Sequence, residues 1–132
     1  MQKIIPTVAI DFDGTIAKHT INFPEIGEPI IGAFDAIDTF KKYGIKIILW
    51  TSRTGYELID VINWCNNNGI LFDAINSNIP NLPSNRGVPK VVAQYYIDDK
   101  NATRTHTGDI TESEWKSITD YVINGFKEKG LI

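Results

Sequence analysis

The stretch V-A-I-D-F-D-G-T, residues 8–15, begins as a short apolar run and ends in two carboxylates that are two positions apart. The apolar half is typical of a buried strand, and residues two apart on an extended chain point to the same side. We therefore expect Asp11 and Asp13 to approach each other, with Gly14 allowing the chain to turn. Because two anions at short range repel, the pair predicts a proton or a metal ion between them.

The composition is that of an ordinary globular protein. The 132 residues are 42% hydrophobic and 22% charged, which predicts one domain spanning residues 1–132. A formal net charge of -3 disfavours a nucleic-acid partner and an anionic membrane surface. No apolar run is as long as a membrane span or resembles a signal peptide. One cysteine, Cys65, excludes an internal disulfide and any multi-cysteine metal site, so we expect a cytoplasmic protein.

Segments that predict strands alternate along the chain with segments that predict helices. The predicted strands are 8–10, 45–50, 72–75 and 94–97. Helices are predicted from Ile30 to Gly44, around Leu58–Cys65, from about Pro89, and after a capping box at Thr111–Glu114. Residues 16–32 predict a loop or short hairpin beside the carboxylates, and 76–89 a long polar loop. The alternation predicts a three-layer α/β/α, Rossmann-like domain with a mostly parallel sheet covered on both faces.

Polar side chains follow three of the predicted strands at the point where each strand ends. Asp11 and Asp13 follow the first, Thr51 follows the second, and Asp98 and Asp99 follow a later one. Ligands bind beyond the carboxyl ends of the strands in sheets of this kind. We therefore expect these side chains to meet at one edge of the sheet.

In these motifs the sequence resembles the haloacid dehalogenase-like (HAD) superfamily of phosphotransferases. The family has an apolar strand running into DxDGT, here residues 11–15, and a second strand ending in Thr or Ser, here Thr51. A lysine follows, for which Lys90 is the best match, and then an acidic pair after a strand, here residues 98–99. The resemblance covers nearly the whole chain. It implies a HAD-like domain without a cap, since the segments after the first motif and before the lysine are too short to hold one.

The resemblance also implies a reaction and a role for each motif residue. Asp11 would be the nucleophile that forms an aspartyl-phosphate, and Asp13 the general acid and base; an aspartate at this position favours hydrolysis of phosphomonoesters. Thr51 would donate its hydroxyl to a phosphate oxygen, and Lys90 would balance negative charge, a task that Arg53 or Lys100 could share.

A cation is needed because a carboxylate that attacks a phosphate dianion meets like charge. Mg²⁺ prefers hard oxygen ligands. In the family pattern its protein ligands would be Asp11, the backbone carbonyl of Asp13, and Asp98, with Asp99 as a further ligand or as the group that orients the metal's waters.

The expected partner is a phosphorylated small molecule or macromolecule; a homo-oligomer stays open. Backbone N–H groups near Gly14, together with Ser52, would assist Thr51 in holding the phosphate. Arg53 and Arg86 are the side chains best placed in the sequence for an anionic substrate.

The remaining candidate residues predict packing or surface roles. The tryptophans are expected in the core, and Cys65 on the apolar stripe of a helix. The two histidines are expected at the surface or in loops, although one of them, His19, follows the nucleophile closely and could touch substrate.

Three other functions compete with the phosphatase. A catalytically idle HAD-like binding module would keep the fold without turnover. A receiver-type signalling domain has a similar size, but it would place its acidic pair after the first strand, whereas here the pair comes last. A DxD glycosyltransferase would need a longer chain to hold a nucleotide-sugar domain.

Overall fold

The described part of the chain forms four strands and three helices. The computed structural model describes residues 4–80 and 89–132. The strands are β1 (Thr7–Ile10), β2 (Lys46–Leu49), β3 (Ala74–Ile75) and β4 (Tyr95–Ile97). The helices are α1 (Ala33–Lys42), α2 (Gly55–Asn67) and α3 (Glu112–Glu128). Arg86 and most of the predicted polar loop lie outside the described residues.

All four strands run parallel, in the order β3-β2-β1-β4. The central strand β1 is fully buried, as its β-branched sequence predicts. Its last residue, Ile10, pairs with Leu49 of β2 on one side and with Ile97 of β4 on the other. The carboxyl ends of these three strands therefore lie next to one another, at the edge where the sequence predicts the site.

Two apolar clusters cover the two faces of the sheet, which makes a small three-layer α/β fold. Val8 and Ile10 point into the larger cluster, to which all three helices contribute. The helix residues in it include Ile37, Phe40, Val61, Cys65, Trp115, Val122 and Phe126. Ala9 and Ile48 point the other way, where Val91 packs on them from the connection between β3 and β4. The predicted fold class is confirmed, and no cap domain occurs in the described ranges.

One predicted helix is absent, and one predicted helix start is wrong. Residues 89–94 contain no helix, because Val91 is buried against the second face of the sheet as the chain passes to β4. Helix α1 begins three residues after Ile30, since the Ile30 amide donates to the Ile16 carbonyl at 2.8 Å and Gly32 turns with a φ of 96°. The capping box is confirmed: the Thr111 hydroxyl accepts from the Glu114 amide.

The segment after the first motif folds back on itself beside the carboxylates. The Lys18 amide donates to the Glu28 carbonyl at 2.8 Å, and an antiparallel bridge joins Ala17 to Pro29. This confirms the predicted short hairpin, which we call the hairpin loop (residues 18–28). Across the two described stretches, no helix is long and apolar enough to cross a bilayer.

Candidate functional site

Three carboxylates meet where β1 and β4 end. Ile10 and Ile97 are register partners, and the Asp11 amide donates to the Ile97 carbonyl at 2.9 Å, so the residues that follow each strand emerge side by side. Asp11, Asp98 and Asp99 each offer a carboxylate oxygen, and these three oxygens lie within 4.8 Å of one another. Parallel pairing of two strands that are distant in sequence thus brings together three of the four carboxylates expected from the sequence.

The cluster carries more negative charge than its surroundings neutralise. Burial, together with a hydrogen bond with Asp99 and the charge of Asp98, raises the pKa of Asp11 to about 8. Burial also raises the pKa of Asp98. Asp99 is 8% exposed, and its Oδ2 atom is buried without a hydrogen-bond partner among the residues described. Three converging carboxylate oxygens, one of them buried without a hydrogen bond, are hard donors that fit a divalent cation such as Mg²⁺.

Thr15 joins the two halves of the cluster. Its hydroxyl donates to Oδ2 of Asp11 at 3.0 Å and accepts from the backbone amide of Asp99 at 3.1 Å. Its carbonyl accepts from Nε1 of Trp115 in α3 at 2.8 Å. The sequence motif includes Thr15 but does not indicate a role for it. Its hydroxyl orients the Asp11 carboxylate.

The Asp13 carboxylate lies outside this cluster and pairs with Arg53. Nε of Arg53 donates to Oδ2 of Asp13, and Nη2 donates to Oδ1, both at 2.8 Å. The arginine is 1% exposed, whereas the Asp13 side chain keeps 22% exposure. Arg53, expected to meet an anionic substrate, thus has its guanidinium engaged by a residue of the protein itself.

A cavity of about 410 Å³ opens over the strand ends. Its lining residues are Asp11, Asp13, His19, Trp50, Thr51, Ser52, Asp98, Asp99 and Lys100. Thr51 is fixed on two sides: its amide donates to Oδ1 of Asn76 at 2.8 Å, and its hydroxyl oxygen accepts from the Arg53 amide at 3.2 Å. The hydroxyl proton of Thr51 can therefore donate to a ligand in the cavity. Six of the residues predicted for the site meet here.

Lys90 is not among the residues that line this cavity. Its ammonium lies over the ring of Tyr96, 5.3 Å from the centroid. Lys100 does line the cavity, and its ammonium lies 3.5 Å from Oδ2 of Asp99. The structure therefore brings Lys100, rather than Lys90, to the carboxylates.

Gly14 holds the turn of the motif where a side chain would not fit. Its φ is +83°, and an added Cβ would lie 2.4 Å from Cε1 of His19 and 2.5 Å from Oδ2 of Asp99. Its amide donates to the Ala17 carbonyl at 2.7 Å. That amide is therefore engaged within the protein, in contrast to the expectation that it assists with phosphate.

Two further residues line the cavity: His19, expected in a loop and able to touch substrate, and Trp50, which was not assigned to the site from the sequence. Nδ1 of His19 lies 2.7 Å from Oδ1 of Asp109, which orients the other ring nitrogen toward Asp99, with its Oδ2 at 3.8 Å. Trp50, expected in the core, is 39% exposed and lines the cavity. The sequence signal that could have placed Trp50 at the site is its position directly before Thr51.

A larger groove of about 640 Å³ runs along β4 and α3 and shares only Asp98 with the predicted site.

The comparisons with known proteins give one similar structure. No family model matches the sequence, and no curated protein matches it significantly. The chain is 32% identical to a conserved protein from Bacteroides thetaiotaomicron, over 92% of this chain and 93% of that chain, with a TM-score of 0.75.

Proposed function

We propose that this chain, which belongs to the family of the conserved Bacteroides thetaiotaomicron protein, is a Mg²⁺-dependent phosphohydrolase of the HAD type. The observation that carries the proposal is the cluster of Asp11, Asp98 and Asp99 beneath an open cavity. The buried Oδ2 of Asp99, which has no hydrogen bond among the described residues, and the raised pKa of Asp11 both support a cation in this cluster.

Asp11, Asp98 and Asp99 would hold the metal ion. When bound, Mg²⁺ would neutralise charge between the carboxylates and an incoming phosphate, so that the two anions can approach each other. The hydrogen bond from Thr15 keeps one oxygen of Asp11 fixed, which leaves the carboxylate a defined orientation for attack.

In the first step, one oxygen of Asp11 attacks phosphorus and the bond to the leaving oxygen breaks, giving an aspartyl-phosphate. The Thr51 hydroxyl, whose oxygen already accepts from the Arg53 amide, donates to a phosphate oxygen. The ammonium of Lys100 adds positive charge on the side of Asp99. In this proposal Lys100 takes the task that the family resemblance gives to Lys90.

Asp13 moves the protons. In its protonated form it would give a proton to the oxygen of the leaving group, and the resulting carboxylate would accept a proton from the water that hydrolyses the aspartyl-phosphate. Its carboxylate borders the same cavity as Asp11, which supports this role.

The substrate class is a phosphomonoester, on a small molecule or a macromolecule. The cavity is open, and no cap covers it in the described part of the chain, so a large phosphorylated substrate has access. A single buried cysteine fits a reducing compartment, and we place the protein in the cytoplasm on that basis.

The test is Mg²⁺-dependent phosphate release from a panel of phosphomonoesters, after removal of metals with a chelator. We expect release to need added Mg²⁺ and to fall at least about 10³-fold in the Asp11→Asn variant, which keeps the shape of the side chain but removes the nucleophile. Equal release from the variant would contradict the proposal. A folded, Mg²⁺-binding protein that releases no phosphate from any substrate would instead favour the idle binding module.

A further inference from the structure

The guanidinium of Arg53 is bonded to three separate residues. Besides the two bonds to Asp13, Nη1 donates to the Pro24 carbonyl at 2.7 Å, and Nη2 donates to the Glu25 carbonyl at 3.3 Å. The ring of Phe23 lies 4.8 Å from the guanidinium carbon. One buried side chain thus joins Asp13, on the motif loop, to the tip of the hairpin loop.

The backbone of Arg53 is tied to the phosphate side of the site as well. Its amide donates to the Thr51 hydroxyl oxygen at 3.2 Å, and the residue comes directly before Thr54, the N-cap of α2. The position of Arg53 is therefore fixed from its own backbone outward.

The bidentate contact with Arg53 determines the orientation of the Asp13 carboxylate. A guanidinium fork that bonds both carboxylate oxygens holds the carboxylate in its own plane, which a lysine ammonium cannot do. The Asp13 side chain still reaches the cavity and keeps 22% exposure. Each Asp13 oxygen keeps a lone pair that Arg53 does not use. The bidentate contact with Arg53 sets the direction of these lone pairs.

The hairpin loop adds a second consequence. Phe23 is 62% exposed although one face of its ring covers Arg53, and Ile21 nearby in sequence is 99% exposed. A substrate that binds at this tip would contact the same residues that hold the Arg53 guanidinium.

We propose that Arg53 is a positioning residue that sets the orientation of the Asp13 carboxylate and couples it to the hairpin loop. The inference rests on the proposed phosphohydrolase function and deepens it. It replaces the expectation that Arg53 contacts the substrate phosphate itself.

The test is a double-mutant cycle on phosphate release by the full chain with saturating Mg²⁺. Arg53→Lys keeps the charge and removes the fork; we expect kcat to fall about 10- to 100-fold with KM changed by less than about threefold. In the Asp13→Asn background the same substitution should change kcat by less than about threefold, because the carboxylate that it orients is gone.

A matched control is Arg104→Lys. Arg104 forms a similar bidentate contact with Glu114, with bonds of 2.8 Å and 2.7 Å; it also donates to the Asp99 carbonyl at 2.6 Å, but it does not touch Asp13. Any decrease in kcat that Arg104→Lys causes in the otherwise wild-type chain should be equally large in the Asp13→Asn background. The Arg53→Met/Asp13→Asn double variant, which buries no unpaired charge, should fold and match Asp13→Asn alone in kcat.

Three results would overturn the inference. These are an Arg53→Lys variant with unchanged kcat, a change confined to KM, or a loss that is equally large with and without Asp13. Each leaves the phosphohydrolase in place, since the wild-type protein remains active. A wild-type protein that hydrolyses no phosphomonoester overturns the proposed function and this inference together.

Discussion

The Thr15 hydroxyl donates a hydrogen bond to Oδ2 of Asp11 at 3.0 Å, and the same oxygen atom of Thr15 accepts from the Asp99 amide. Thr15 is fully buried, and its carbonyl is held by Trp115 of α3. The orientation of the proposed nucleophile thus depends on a residue that joins the first strand end, the last strand end and the C-terminal helix.

Replacing Thr15 with valine should therefore lower activity without removing any reacting group. Valine keeps the shape but loses the hydroxyl, and it leaves the Asp99 amide without an acceptor. We expect kcat to fall about 10- to 100-fold and the free energy of unfolding to fall by about 1–3 kcal/mol. The control is Thr15→Ser, which keeps both hydrogen bonds and should retain most of the kcat. Equal activity in the valine variant would contradict an orienting role.

The raised pKa of Asp11 predicts how stability changes with pH in the absence of divalent metal. Between about pH 4 and pH 8, the folded chain keeps a proton on Asp11, whereas the unfolded chain, with an ordinary pKa of 3.8, has lost it. The folded state then binds more protons, so stability falls as pH rises through this window. Thermal unfolding at about pH 5 and about pH 8 measures this slope.

Two additions test the cause of that slope. The Asp11→Asn variant should have a flatter pH dependence and a higher melting temperature near pH 8, by about 5 °C or more. Mg²⁺ should raise the wild-type melting temperature more at pH 8 than at pH 5, because its ligands must be deprotonated. A wild-type slope that persists in Asp11→Asn would place the titration on another group.

The two lysines give opposite predictions. Lys100→Met should lower kcat by about 10- to 100-fold, because its ammonium lies beside Asp99 at the cavity. Lys90→Met should change kcat by less than about threefold, since the Lys90 ammonium lies over Tyr96. Steady-state kinetics of the two variants decides between them. A large loss in Lys90→Met with none in Lys100→Met would reverse our assignment.

Gly14→Ala should destabilise the protein and weaken Mg²⁺ binding. The added Cβ meets His19 and Asp99 at 2.4–2.5 Å, in addition to the strain of a φ of +83°. Gly69→Ala is the matched control, since its φ is +78° and no atom lies within 4 Å of the added Cβ. We expect a cost of about 1 kcal/mol for Gly69→Ala and a clearly larger one for Gly14→Ala, measured by denaturant unfolding. Equal costs would mean that the cluster tolerates a side chain there.

The convergence of the strand ends was predictable because it follows from topology. A short buried strand next to another such strand, joined by a helix, leaves parallel pairing as the main solution, and the residues after Ile10 and Ile97 then emerge together. The sequence needed only the apolar runs and the residues after them to place Asp11 beside Asp98.

Side-chain pairings across loops were not predictable in the same way. Asp13 and Arg53 are far apart in sequence, and their contact depends on the conformation of the hairpin loop. Hydrophobic periodicity predicts strands and helices but does not predict the conformation of such a loop. The helix expected near Pro89 failed because burial of Val91 against the sheet decides the path of the chain there. Proline starts a helix and an extended segment equally well, since both accept its φ.

The most direct test of the proposed mechanism is to trap the phosphoryl group on the protein. Wild-type and Asp13→Asn chains are mixed with Mg²⁺ and an aryl or acyl phosphate, whose leaving group departs without a proton, then quenched in acid and analysed by peptide mass spectrometry. We predict one phosphoryl group on Asp11, in larger amount in Asp13→Asn because its hydrolysis is slowed, and none in Asp11→Asn. A phosphoryl group on another residue, or phosphate release from Asp11→Asn at the wild-type rate, would contradict the mechanism.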